Sequence, residues 1–162
     1  VSVEAAGFSP PAQVRELMIE DLTTLGQAAR EAGHPIDIAA AYRSFEMQGY
    51  VFDDRVYVFG REGALRRAAR PGHSEHQLGT AVDFKSATAA DADLAWAATE
   101  AGVWTIQNAP RFGFVLSYPE GATARTCYQY EPWHFRYFGR KLAAKIMDSG
   151  LTPREYLWRA SG

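Results

Sequence analysis

From Pro11 to Ala32 the apolar positions Val14, Leu17, Met18, Leu22, Leu25 and Ala29 recur at three- and four-residue steps, and Gly33 follows as a stop. That spacing predicts an amphipathic helix. Ile36, Ile38 and Ala40 then alternate with Asp37 and Ala39 before the polar run Tyr42, Arg43 and Ser44, the mark of a short strand. A second helical stretch covers about Phe45 to Ala69, interrupted near Gly60 to Gly63, and Thr80 to Phe84 has strand character. Helical period resumes over Asp91 to Ala101 through Leu94, Ala97, Ala98 and Ala101. Short strands are expected at Phe114 to Tyr118 and Trp133 to Phe138, and helices at Gly139 to Asp148 and Pro153 to Ala160. No internal repeat, low-complexity tract or linker divides the chain, and no βαβ periodicity points to a parallel sheet. The expected fold class is α+β: a single domain over residues 1–162, with one small, mostly antiparallel sheet of four strands and helices covering a face.

Composition narrows the partners. A chain of 162 residues can bury roughly two thirds of its unfolded surface in a single core. Lys and Arg total 17 against 19 for Asp and Glu, a formal charge of −2, so no basic field draws the chain to nucleic acid or anionic lipid. No apolar run approaches the roughly 18 residues of a membrane span, and Val1 to Phe8 lacks the charged start and apolar stretch of a signal peptide. Cys127 is the only cysteine, which excludes an intrachain disulfide without fixing the compartment.

Residues 71 to 84, PGHSEHQLGTAVDF, place two histidines, a glutamate and an aspartate within eleven positions. On one unbroken strand His76 and Asp83 point to opposite faces, because side chains alternate with period two. A turn or bulge at Gly79 brings His76 back over the face that Ala81 and Asp83 share. Taken alone, the pair reads more simply as a loop cap and a strand-end hydrogen bond. The second cluster, YEPWHFRYF at residues 130 to 138, adds His134, with Glu131 three positions before it. Pro132 disfavours a helix through Glu131, so an extended segment from Trp133 would carry Trp133, Phe135 and Tyr137 on one face and His134, Arg136 and Phe138 on the other. Two imidazoles and a carboxylate suit Zn²⁺ with a fourth position open to water, and an unligated Glu131 nearby could take a proton from that water. Spacing alone equally allows Glu131 and His134 to form surface ion pairs with Arg136 or Arg140.

SEHQLGTAVD matches the Ser-x-His-x-x-Gly-x-Ala-x-Asp pattern, and EPWHFRY the Glu-x-x-His pattern, of the VanY-type D-alanyl-D-alanine carboxypeptidases, which are zinc peptidases. YRSFEMQ, residues 42 to 48, resembles a third signature of that family, and the likeness runs from about Ile36 through Gly139. The resemblance implies the fold shared with lysostaphin-like peptidases and the hedgehog signalling domain. It implies His76, Asp83 and His134 as zinc ligands, Glu131 as general base and acid, and Arg43 as a second catalytic group. It also implies Gln48, Ser74 and Tyr118 as substrate contacts. A guanidinium at Arg43 can neutralise either a developing oxyanion or the substrate's terminal carboxylate, and the choice stays open. The expected activity is removal of the terminal D-alanine from peptidoglycan stem peptides, at a D-Ala-D-Ala bond or at the L-D bond of tetrapeptides, by a monomer working outside the cytoplasmic membrane. An endopeptidase of the same fold and a zinc-stabilised binding module are the alternatives, with a cysteine hydrolase using Cys127 and His134 as a weaker third. His73 and His34 read as structural or loop residues. Trp96, Trp104, Trp133 and Trp158 read as core, with Trp133 near enough to wall the site.

Overall fold

In the computed structural model, residues 1–9, 11–89 and 93–160 are described. Four strands, β1 (Ile36–Ala40), β2 (Ala81–Ser86), β3 (Phe114–Leu116) and β4 (His134–Tyr137), form one sheet among these residues, all antiparallel, in the order β1-β2-β4-β3. The helices are α1 (Ile19–Glu31), α2 (Phe45–Leu65), α3 (Glu100–Asn108), the single turn α4 (Thr123–Thr126), α5 (Arg140–Ser149) and α6 (Pro153–Ala160).

Alternation gives the sheet two unlike faces. Val82 and Phe84 of β2, Phe135 of β4 and Phe114 of β3 pack with Ile36 and Ile38 of β1 against Leu22, Leu25 and Ala29 of α1 and against Trp96 and Ala101. The rings of Phe84 and Phe135 lie 5.5 Å apart, and those of Phe84 and Phe114 6.0 Å. On the opposite face the ladder sets Asp83 directly across from His134 and Ala81 across from Arg136. The two central strands therefore share a core below and polar chemistry above. At the β3 edge, Val115 packs with Ala143 and Ile146 of α5. Asp21 in the first turn of α1 ties the layers together, accepting from the Tyr137 hydroxyl at 2.7 Å and from Arg140 Nε at 2.6 Å.

The elements depart from the sequence pattern where tertiary contacts claim the backbone. The leading helix begins at Ile19, after a 3-10 turn at Glu16–Met18, and not at Pro11. Val14 N–H bonds to the Val1 carbonyl and Arg15 N–H to that of Gly79, while Gln13 accepts from Tyr42. These bonds hold residues 11 to 15 out of a helix. Gly60, at φ 69 and ψ 168, breaks α2 inside the interruption expected there, and the helix ends at Leu65, short of Ala69. The helix expected over Asp91 to Ala101 is divided: Asp91 and Ala92 lie outside the described residues, Leu94–Ala98 is a 3-10 turn, and extended Thr99 starts a new helix that runs on to Asn108. Thr99 Oγ1 accepts from Gly102 N–H at 3.0 Å and donates to the Trp96 carbonyl at 2.7 Å, which makes it the joint between the two pieces. The last two strands are each shorter than expected, and β2 runs two residues further, to Ser86. Trp158 is 80% exposed and is not a core residue.

Gly102 supplies a test of this joint. Helix propensity favours alanine over glycine by about 1 kcal/mol, but a methyl at Gly102 would collide with the carbonyl oxygen of Trp96. Gly102→Ala is therefore expected to destabilise the protein by about 1–3 kcal/mol, read from urea denaturation. An alanine variant more stable than the parent would show that Trp96 does not press on α3.

Candidate active site

Three separate elements aim side chains at one point. Glu75–Leu78 make one 3-10 turn, started by Ser74, whose hydroxyl accepts from His76 N–H at 3.3 Å, and closed by Gly79, left-handed at φ 70 with its N–H on the His76 carbonyl. Glycine adopts that conformation without strain. The reversal precedes β2, so His76 comes back over the face that carries Asp83, the movement expected of Gly79. His134 opens β4 opposite Asp83, after a turn through Pro132 and Trp133 that keeps Glu131 out of any helix. His76, Asp83 and His134 are all buried, and one donor atom from each lies within 4.8 Å of the others.

The ring nitrogens are sorted by their partners. His76 Nδ1 is 2.7 Å from the Ala41 carbonyl, to which it donates, leaving Nε2 turned to Asp83. That Nε2 is 3.3 Å from Asp83 Oδ1 yet makes no hydrogen bond. His134 Nδ1 lies 3.0 Å from the same oxygen, and its Nε2 lies 3.0 Å from Glu75 Oε2. With zinc at about 2.0–2.1 Å from each ligand, tetrahedral corners stand about 3.3–3.4 Å apart. The separations of 3.3 and 3.0 Å fall close to that edge, and an orphaned nitrogen on an imidazole only 2% exposed is a group in want of a partner. The donor set fits Zn²⁺.

Electrostatics divide the site into charged and near-neutral groups. Burial works against the Asp83 carboxylate, but His76 and His134 outweigh it and hold Asp83 far below the usual range. Burial lowers His76 below an ordinary histidine against the pull of Asp83. His134 also loses hydration, but its hydrogen bonds to Asp83 and Glu75 lift it to about 10. Without metal, the proton of the cluster therefore rests on His134, and a bound cation must displace it. Burial pushes the Glu131 carboxyl up to about 7; Asp83 and Glu75 add to the shift, while His134 and Arg43 oppose it. Burial, with Glu75 and Glu131 nearby, keeps the Tyr118 phenol protonated.

All eight residues expected at the site line one cleft of about 1020 Å³. Arg43 Nη2 is 3.6 Å from Asp83 Oδ2, and Arg43 Nη1 donates to Gln48 Oε1 at 3.2 Å. Gln48 is buried and gives its amide N–H to the Ala69 carbonyl at 2.7 Å, so it braces Arg43 from behind. Tyr118 lays its ring 4.9 Å from that of His134, and its carbonyl accepts from Glu131 N–H. Trp133 joins the wall, as expected. His73 and Cys127 are elsewhere: both line a second cavity of about 790 Å³, and the two nitrogens of His134 are already occupied by carboxylates, which leaves Cys127 no base. Sequence reasoning passed over Glu75, although it adjoins His76 in the same cluster.

A family profile described as VanY, D-alanyl-D-alanine carboxypeptidase, matches residues 11–140. The chain belongs to the VanY D-alanyl-D-alanine carboxypeptidase family. It is 38% identical over 146 residues to a D-alanyl-D-alanine carboxypeptidase of Enterococcus faecalis, covering 84% of this chain and 52% of that one. The chain spans about half the length of the first curated relatives it matches. Among solved structures, the LdcB LD-carboxypeptidase superposes with a TM-score of 0.83 at 36% identity, over 93% of this VanY-family chain and 72% of its own. A mutant of the vancomycin-resistance D,D-pentapeptidase VanY in complex with Zn(II) superposes with a TM-score of 0.80 at 34% identity, over 89% of this chain and 83% of its own.

The shifted groups set a pH dependence for the metal-free protein. His134, raised from 6.5 to about 10, stabilises the fold fully below its unfolded value and loses that contribution as pH climbs toward 10. Glu131, raised from 4.5 to about 7, acts in the same direction over its own interval. Glu75, lowered from 4.5 to about 2, contributes above 4.5 and fades only in acid. Denaturation in chelator should show stability falling steadily between pH 6.5 and 10, and a rise across that interval would contradict the ion pairs described.

Proposed function

We propose that the chain is a zinc-dependent carboxypeptidase that removes the terminal D-alanine from peptidoglycan stem peptides, at a D-Ala-D-Ala bond or at the L-D bond of tetrapeptides. The observation that carries this reading is Glu131: a carboxyl near neutral pKa in the cleft wall, beside the three donors and outside their set. A purely stabilising metal site needs neither that group nor an open cleft. Support also comes from family membership and from the relative that was solved with Zn(II).

His76 Nε2, Asp83 and His134 Nδ1 would hold the ion. Zinc there would supply Lewis acidity toward the scissile carbonyl and toward water. Glu131 takes the proton of the attacking water and returns it to the leaving amine, a task suited to a pKa near the working pH; the charge of a bound cation draws its pKa down somewhat. Arg43, held in line by Gln48, presents its guanidinium beside Asp83 to the oxyanion or to the terminal carboxylate of the substrate. Ser74 and Tyr118 face the same cleft and contact the peptide. The place of action is outside the cytoplasmic membrane, and no helix among the described residues is long and apolar enough to cross one.

Product masses from defined stem pentapeptides and tetrapeptides, with and without chelator, test class and bond together. Loss of one D-alanine that stops on chelation is expected, and an uncleaved peptide in zinc-loaded protein would overturn the assignment. Glu131→Ala should keep stoichiometric zinc by elemental analysis while turnover falls about 10²- to 10⁴-fold; wild-type turnover would make Glu131 structural. Arg43→Ala separates its two roles by kinetics. Oxyanion stabilisation puts a loss of about 10²- to 10³-fold on kcat. A grip on the terminal carboxylate raises KM instead, with substrate amidation mimicking the mutation. Unchanged kinetics on both free and amidated peptide would remove Arg43 from the site.

A further inference from the structure

His134 is held by carboxylates on both sides, and only one of them belongs to the donor set. Asp83 faces Nδ1 at 3.0 Å, while Glu75 Oε2 stands 3.0 Å from Nε2. Resting on the metal reading above, we propose that Glu75 is the positioning residue of the metal centre: it accepts the Nε2 proton of His134 and so fixes the tautomer whose Nδ1 lone pair faces the ion.

Where Glu75 stands follows from the turn that carries it. Glu75 and His76 are neighbours in the 3-10 turn, but their side chains part: His76 lines the substrate cleft, whereas Glu75 lines the second cavity behind it. One turn therefore supplies a ligand in front of His134 and an acceptor at its back. The carboxylate is largely buried, its side chain 19% exposed, and each oxygen has a named donor. Ser117 Oγ donates to Oε2 at 2.6 Å, and Arg136 Nη1 donates to Oε1 at 3.0 Å. Ser117 N–H also bonds to the His134 carbonyl at 3.2 Å, and Arg136 lies two residues beyond His134 on the same face of β4. Glu75 is thus held at the height of the imidazole by Ser117, the residue after β3, and by Arg136 of β4.

The two histidines then obey one rule with different acceptors. His76 gives its second ring proton to a main-chain carbonyl, and His134 gives its second ring proton to an anion. An anionic acceptor makes the imidazole the more basic ligand, and partners of this kind are worth about 10- to 100-fold in metal affinity. A merely structural Glu75 would only fasten the turn to β3 and β4 through Ser117 and Arg136, and would leave the tautomer and the metal untouched.

The experiment measures zinc affinity of the whole chain by competition with a chromophoric chelator, for wild type, Glu75→Ala and Ser117→Ala. Glu75→Ala is expected to bind zinc about 10- to 100-fold more weakly, whereas Ser117→Ala, which cuts one tie to the same carboxylate and spares the His134 contact, keeps wild-type affinity. Wild-type affinity in Glu75→Ala, or equal losses in both variants, would overturn the role. A long-range proton–nitrogen NMR correlation on zinc-loaded wild type reads the contact itself even if Glu75→Ala does not fold. An Nε2 proton held by the Glu75 carboxylate lies far downfield and exchanges slowly with water, and one that exchanges freely overturns the role. The correlation should place the His134 ring proton on Nε2, and a proton on Nδ1 overturns the proposal. Wild-type protein that binds no zinc would bring down the metal reading along with this one, a proton on Nδ1 would also take that nitrogen out of the donor set, and the other adverse outcomes touch Glu75 alone.

Discussion

A carboxylate taken out of water as deeply as Asp83 costs several kcal/mol in lost hydration unless opposite charge and donors close around it. Asp83 cannot escape to solvent, because Val82 and Phe84 on either side of it are fully buried in the core. The surrounding chain is arranged to meet that demand. His76 arrives from a 3-10 turn, His134 from the neighbouring central strand and Arg43 from the segment after β1, each within 3.6 Å of the carboxylate. Three parts of the sequence are thereby drawn to one point by a single charge. Removing any one of these partners leaves charge uncompensated in a dry place, so the geometry of the site and the stability of the sheet's upper face are parts of one problem.

The sheet separates rigidity from chemistry. Its lower face is an aromatic and aliphatic layer, with Phe84 at the centre of ring contacts to Phe8, Phe114 and Phe135. That layer fixes the spacing of β2 and β4, and the ladder places Asp83 opposite His134 without help from side-chain packing above. The remaining groups come from connections: Arg43 and Ser74 from loops, Glu131 from the turn before β4, Tyr118 from two residues past β3. Backbone bonds tie several of these segments to firmer parts: Arg43 N–H to the His76 carbonyl, and Ser117 N–H, beside Tyr118, to that of His134. Precision at the cleft is inherited from the core beneath it.

Much of this was legible in the sequence because period-two alternation and glycine placement are local signals. β1 and α6 have the expected bounds, and the reversal at Gly79 follows from one residue's tolerance of positive φ. The three donors came from the likeness to the VanY signatures, since spacing alone also allowed a loop cap, a strand-end hydrogen bond or surface ion pairs, and the fold brings their side chains together. Glu75 was not legible, since a residue in a 3-10 turn obeys neither the strand nor the helix period, and nothing local says that its side chain points behind the sheet. The start of α1 was hidden for a related reason: Val14 keeps the helical spacing and is buried, yet bonds made to distant backbone decide the conformation of residues 11 to 15. Thr99 shows the converse, a local cap that resets a helix whose apolar spacing runs on undisturbed through it. Gln48 was expected to meet substrate, and its burial beneath Arg43 depends on the Ala69 carbonyl, which no spacing rule would bring to it.

The segment from Ala41 to Arg43 is stapled to His76 twice, by the Ala41 carbonyl on the imidazole and by Arg43 N–H on the His76 carbonyl at 3.3 Å. One strap of three residues thus holds both His76, one of the three clustered donors, and the Arg43 guanidinium that lines the cleft. Binding equilibria coupled through shared structure are reciprocal: whatever factor an ion gains for the peptide, the peptide must return to the ion. Under the proposed function, a protein built this way would hold its ion more tightly with peptide bound wherever the ion favours the peptide, and less tightly between substrates.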